Sequence, residues 1–277
     1  MDVFDTVGHA FSRIEGFETT ERERNGTKRI VGPSAGAIGD GVAYVGNRAT
    51  RQVCVVDLRT LKLGSCFELP AGTDGVEYVA PTREVWVTTP ETQSIVVLDA
   101  ANAASLSLKT TIKLPGEPEG YAVDAAHGVF LTNLEDKGST LAIDLRTHSV
   151  TATWNAGCSS DGPRGIAVDS ARNLVFVACT DHVRALDEAH GGALLGALDT
   201  GAGVDNIDYV PGTGLLYVAA GKVARLTVAH VADRGEFEVT ATADTAVGAR
   251  NAVVGANGDA YVADPQHGRM LLVRASQ

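Results

Sequence analysis

Short apolar runs centred on an aromatic residue recur along the chain: Val42-Ala-Tyr44-Val45, Val85-Trp86-Val87, Val129-Phe130-Leu131, Val175-Phe176-Val177, Leu216-Tyr217-Val218 and Ala260-Tyr261-Val262. The aromatics lie 42, 44, 46, 41 and 44 residues apart. Helical repeats share such a period, but the β-branched and alternating residues around each aromatic favour strands. An apolar segment precedes each run, as in Val76-Glu-Tyr-Val79, Tyr121-Ala-Val123, Ile166-Ala-Val168 and Ile207-Asp-Tyr-Val210. The two are joined by tight turns rich in Gly, Pro, Asn and Ser. A third strand follows and ends on Asp57, Asp99, Asp144 or Asp187 in four of the units. A carboxylate there caps a turn by accepting backbone N–H bonds, so these four aspartates read as structural. A fourth segment, such as Thr110-Thr-Ile-Lys-Leu114, carries a weaker pattern.

Four antiparallel strands repeated six times bury both faces of each sheet only by packing around an axis. The pattern predicts an all-β, six-bladed β-propeller forming a single domain over residues 33–277. Residues 1–32 form an N-terminal extension. The last unit has three strands, so a strand from the extension, Phe11–Phe17 or Thr27–Val31, is expected to complete it and close the ring.

The units Pro163-Arg-Gly-Ile-Ala-Val-Asp169 with Leu174-Val-Phe-Val-Ala178, and Leu216-Tyr-Val-Ala219, resemble the YVTN-type repeat propellers, among them the YncE-like proteins of bacteria. The resemblance covers residues 33–275 through a turn and an apolar strand. It implies a propeller, frequently an extracytoplasmic one, and no single activity. The six-blade count is also similar to the senescence-marker/gluconolactonase and diisopropyl fluorophosphatase propellers, whose central calcium is held by Glu, Asn and Asp. Glu119-Gly120 is similar to the Glu-Gly that opens those chains, but here it lies in the third unit and the rest of their pattern does not align.

A net charge of -11 without a Lys/Arg cluster argues against nucleic acid and anionic membranes as partners. Cations and small molecules fit better, and charged outer strands suggest a monomer. No apolar run approaches a membrane-spanning length. The chain opens Met1-Asp-Val-Phe-Asp, so a periplasmic or secreted location requires an export signal outside this sequence. Gly-x-Ser-x-Gly, Walker and Gly-x-Gly-x-x-Gly motifs are absent, which argues against covalent serine catalysis and nucleotide binding.

In a propeller, the residues just before each inner strand converge at the mouth of the central channel. They are Pro33-Ser34, Asp74-Gly75, Glu119-Gly120, Arg164-Gly165, Asp205-Asn206 and Arg250-Asn251. Such charges either pair between blades or bind a ligand. Further in, Glu77 and Asp208 stand where other units carry Ala or Val, and buried acids call for a cation or a shared proton. Glu77, Asp208, Asn206 and Asn133 are the expected ligands of a divalent cation, Ca²⁺ by its preference for oxygen. Asp74, Arg164, Arg250, Asn251, His182 and His267 are the expected ligand-binding residues. His9, His127, His148, His190 and His230 are given no role.

Two functions follow: a propeller that binds a small polar ligand or partner with a cation, or a metal-dependent hydrolase or lactonase in which Glu119 or Asp205 activates water. Cys54 and Cys66 face each other across a hairpin, where buried free thiols are expected ahead of a disulfide, because directly opposed strand cysteines often sit at strained geometry. Cys158 and Cys179 lie in mouth-side loops of one unit. They either form a disulfide, which would indicate an oxidising compartment, or build a zinc site with His182.

Overall fold

The structure, a computed structural model, describes residues 1–8, 10–24, 26–159 and 161–274; His9 lies outside them. It is an all-β, six-bladed β-propeller. The chain divides into two compact units, Met1–Pro118 and Glu119–Gln277.

The first unit opens with two hairpins, β1 (Asp2–Asp5) with β2 (Ala10–Arg13) and β3 (Thr20–Arg24) with β4 (Thr27–Val31). Blade one follows as β5 (Pro33–Gly39), β6 (Val42–Asn47), β7 (Gln52–Asp57) and β8 (Lys62–Glu68). Blade two is β9 (Val76–Val79), β10 (Glu84–Thr89), β11 (Ser94–Asp99) and β12 (Ser107–Lys113). Their shared core joins Tyr44, Val53 and Val55 to Val76, Val85, Val87 and Leu98.

The second unit holds blade three, β13 (Pro118–Asp124), β14 (Val129–Leu134), β15 (Ser139–Asp144) and β16 (Val150–Asn155). Blade four is β17 (Ile166–Asp169), β18 (Leu174–Ala178), β19 (His182–Asp187) and β20 (Ala193–Asp199). Blade five is β21 (Val204–Val210), β22 (Leu215–Ala220), β23 (Arg225–Val231) and β24 (Phe237–Asp244), and blade six is β25 (Ala252–Val254), β26 (Ala260–Asp264) and β27 (Arg269–Val273). Separate clusters fill the junctions of blades three and four, four and five, and five and six.

The sequence repeat maps onto this order. The aromatic run is always the second strand, covered on both faces, and so it reads as continuous apolar sequence. The fourth strand has one neighbour and alternates in exposure, which explains its weaker signal. All five four-stranded blades carry a register shift at the same place, between third and fourth strands. A bulge there adds twist to the outer edge. The third-strand aspartates cap turns as expected: Asp57 accepts the N–H groups of Arg59 and Thr60, and Asp144 those of Arg146 and Thr147.

The N-terminal segment differs from expectation. Among the described residues the sixth sheet has three strands, and both candidate closing segments pair within their own hairpins, Phe11 opposite Phe4 and Ile30 opposite Glu21. Burial provides the reason. Ile14, 2% exposed, packs on Ala43, Val45 and Val56 of blade one, so the extension covers that blade's face.

Candidate functional site

The residues that precede the inner strands do converge within the second unit. Gly165 N donates to the Asp205 carbonyl at 2.8 Å, and Asn206 N to the Arg250 carbonyl at 3.5 Å. Gly120 lies so close to Arg164 that a Cβ would collide with the Arg164 carbonyl oxygen, which explains a glycine there. Charge alternates along this rim from blade to blade: Glu119, Arg164, Asp205, Arg250. Arg164 Nη1 lies 2.6 Å from Glu135 and 3.7 Å from Glu119, and Arg250 Nε lies 3.3 Å from Asp205. With its amide turned so that the nitrogen faces acceptors, Asn251 donates to Asp205 Oδ2 at 3.2 Å and to the Arg250 carbonyl at 3.1 Å.

The expected cation ligands Asn133, Asn206, Asp208 and Glu77 each have their own surroundings. Asn133 is buried with both ends committed: its Nδ2 donates to the Arg164 carbonyl at 2.5 Å and its Oδ1 accepts from Thr140 at 2.7 Å. Asn206 Oδ1 accepts the N–H of Ile207. Asp208 Oδ2 accepts the Val254 N–H at 2.7 Å, and burial pushes its carboxyl above the ordinary range. In the first unit, Asp74 pairs with Arg48, whose Nε donates to the Thr73 carbonyl. Burial on β9 pushes Glu77 up to about 7.

His182 and His267 each hold their own aspartate. Nδ1 of His182 lies 2.5 Å from Asp181, and that of His267 lies 2.8 Å from Asp264, which Arg269 shares at 2.9 Å. Both cysteine pairs are disulfides. This corrects the expectation of free thiols at Cys54 and Cys66. The pairing register sets the two directly opposite beside the blade-one register shift, with Cα atoms 4.0 Å apart. Bonding of Cys158 to Cys179 also removes the thiolates that a zinc site with His182 would need. Oxidising compartments preserve such bonds. No helix among the described residues is long and apolar enough to cross a membrane.

One cluster escaped the sequence reading. Asp124 ends β13, His127 sits in the turn that follows, and Glu188 follows β19 of the next blade; one donor atom from each lies within 4.8 Å of the others. Asp124 Oδ1 accepts the His127 N–H at 3.0 Å and its Oδ2 lies 2.9 Å from His127 Nδ1. Glu188 Oε2 lies 3.5 Å from the same nitrogen. Burial disfavours the Asp124 carboxylate, but bonds from His127, Glu188 and Ser170 outweigh it and hold the group below its ordinary range. Glu188 is pushed up, by burial first and then by Asp124 beside it, while the bond to Asp124 raises His127. Such a carboxylate and imidazole group has the donors to hold a metal ion. Asp-x-x-His also occurs at Asp187–His190 and Asp264–His267. The motif alone therefore marks a turn, and the third residue arrives only through blade packing.

No protein-family model matches the sequence. No curated protein matches it either. Among solved structures, Kuenenia stuttgartiensis hydrazine synthase is similar at a TM-score of 0.78 and 14% identity, over 99% of this chain and 89% of that one. A candidate 6-phosphogluconolactonase from Bacteroides fragilis gives 0.76 and 14%, over 91% and 84%. The β-propeller domain of Cps50 (Swd1) from Myceliophteria thermophila gives 0.69 and 9%, over 88% and 87%. These likenesses show the β-propeller fold.

Proposed function

We propose that this protein is a YVTN/YncE-like binding propeller, periplasmic or secreted, that acts as a monomer and takes a small polar ligand at its mouth face. One observation carries the reading: acidic and basic residues alternate along the rim of blades three to six, held by backbone contacts from blade to blade. Guanidinium groups at Arg164 and Arg250 suit an anionic group on the ligand, and the carboxylates between them suit hydroxyls. Glu119, Glu135, Asp205 and Asp208 outnumber the two arginines, so a cation belongs to the bound unit, and oxygen donors favour Ca²⁺. A thermal-shift screen of sugar acids, sugar phosphates and amino acids at millimolar concentration, with and without Ca²⁺, tests this. The expected result is a midpoint rise for one class in the wild type and none in Arg164→Ala or Arg250→Ala. No rise for any compound would rule the reading out.

The second reading, a metal-dependent lactonase, is favoured by the structural likeness to a candidate 6-phosphogluconolactonase. The cation would polarise the lactone carbonyl, Glu119 or Asp205 would activate water, and an arginine would hold the phosphate. A pH-stat assay with 6-phosphogluconolactone decides it: hydrolysis above the spontaneous rate, lost in a Glu119→Gln, Asp205→Asn double variant, supports catalysis. A spontaneous rate leaves binding alone.

A further inference from the structure

Glu188 differs from its counterparts in the neighbouring blades three and five, Leu145 and Val231. In blades two to five, the residue that follows the partner of the second strand's first residue donates its N–H to the carbonyl that precedes the second strand: Ala100 to Arg83, Leu145 to Gly128, Glu188 to Asn173 and Val231 to Gly214. Ala100, Leu145 and Val231 are 0%, 2% and 0% exposed. Blades two, three and five thus fill this position with a buried small or branched apolar side chain, whereas blade one has Leu58 at 36% exposure and blade six the exposed Arg274. Blade four places a carboxylate there. Its side chain is 10% exposed, and its buried Oε2 makes no well-formed hydrogen bond, its nearest cationic partner being His127 Nδ1 at 3.5 Å. A buried carboxylate oxygen held by one long contact costs stability that an apolar residue would not.

The other half of the cluster departs from the repeat in the same place. Blade four fills the turn equivalent to Asp124 and His127 with Asp169 and Arg172, a permanent ion pair in which Arg172 reaches the Val231 carbonyl at 2.9 Å. Blade three has an imidazole instead, which offers a lone pair where the guanidinium offers only donors. His127 Nδ1 is 2.9 Å from Asp124 Oδ2 and 3.5 Å from Glu188 Oε2. Donors bound at about 2.0–2.2 Å around a tetrahedral ion stand about 3.4 Å apart, so a small adjustment seats an ion between these three atoms.

We propose that Asp124, His127 and Glu188 form a binding site for a borderline divalent transition-metal ion of the Zn²⁺ class. The two carboxylates neutralise the ion, the imidazole selects it over Ca²⁺ and Mg²⁺, which take oxygen ligands, and Ser170 supports Asp124. Three protein donors leave a fourth position open to water or a ligand. The site stands apart from the mouth, because Asp124 and Glu119 lie near opposite ends of β13. It does not depend on the mouth-side reading.

Isothermal titration of chelator-treated protein with Zn²⁺ tests the proposal. The expected result is one ion per chain, a raised melting midpoint, and no displacement by a large excess of Ca²⁺. Glu188→Leu restores the residue type of blade three and is expected to weaken Zn²⁺ at least about 100-fold and remove the midpoint rise. His127→Ala is expected to do the same. His190→Ala, which removes an exposed Asp–His pair on blade four, leaves the affinity unchanged. Equal Zn²⁺ affinity in wild type and Glu188→Leu, loss in His190→Ala, or displacement by Ca²⁺ would overturn the site. If Glu188→Leu lacks a cooperative melt, Glu188→Gln decides by the same affinity criterion.

Discussion

Tyr209 Oη donates to Asp169 Oδ2 at 2.6 Å, tying the inner strand of blade five to the turn of blade four. Arg172 Nε reaches the same oxygen at 2.8 Å. Burial raises the Asp169 carboxyl, but these bonds outweigh it and hold the group below its ordinary range. Burial, with Asp169 beside it, pushes the Tyr209 hydroxyl up to about 12.

Tyr209→Phe removes one bond to a charged group and is expected to cost about 1.5–3 kcal/mol in urea unfolding. Asp169→Ala strands both partners and is expected to cost more, about 3–5 kcal/mol. The reverse order would mean that ring packing against Phe176, with centroids 4.8 Å apart, outweighs the polar contacts.

Within blade two, Glu84 is buried at 1% exposure, accepts from Trp86 Nε1 at 2.8 Å and faces Lys109 Nζ at 2.5 Å. Glu84→Ala should cost about 3–5 kcal/mol, because it leaves a buried indole N–H unpaired. Glu84→Gln keeps an acceptor for Trp86 and should cost less. Denaturant midpoints followed by tryptophan emission measure the order, and equal losses would contradict it.

Glu77 makes stability depend on pH. Its folded pKa, pushed by burial from 4.5 to about 7, exceeds the unfolded value, so the folded state holds the proton more tightly. Its contribution is complete below about pH 4.5 and falls as pH rises, levelling off once the folded group has ionised, a loss on the order of 3 kcal/mol. Glu77→Gln should abolish this slope and exceed the wild type in stability near pH 8. Parallel wild-type and variant curves would show that the carboxyl ionises freely.

Each disulfide closes a short loop, with cysteines 21 residues apart for Cys158–Cys179 and 12 for Cys54–Cys66. Replacing either pair by alanines should cost about 3 kcal/mol. Thermal midpoints with and without reductant should converge in a variant lacking both pairs. A wild-type midpoint insensitive to full reduction would mean that sheet packing alone sets the stability.

Much of the fold was legible because each strand's environment imprints its own pattern. The doubly covered second strands give continuous apolar runs such as Val85-Trp86-Val87, all 0% exposed. The site was less legible. Glu119, Arg164, Asp205 and Arg250 were found because register along the repeat marks which residues precede an inner strand. The partners of Asn133, expected as a neutral oxygen ligand, were not legible, because Thr140 and the Arg164 carbonyl lie on another strand and another blade. A signal for Glu188 did exist: aligned on the repeat, it is the one carboxylate among Ala100, Leu145 and Val231.

The sequence by itself determined the strand order, the blade number and the turn aspartates, because these follow from periodicity and from local backbone needs within about 45 residues. Only the tertiary structure decided where the N-terminal segment packs, which cysteines are bonded and that Glu188 meets Asp124 and His127. Those outcomes depend on which faces are left to cover and on distances between residues far apart in the chain, and pairwise geometry of that kind leaves no period in a single sequence.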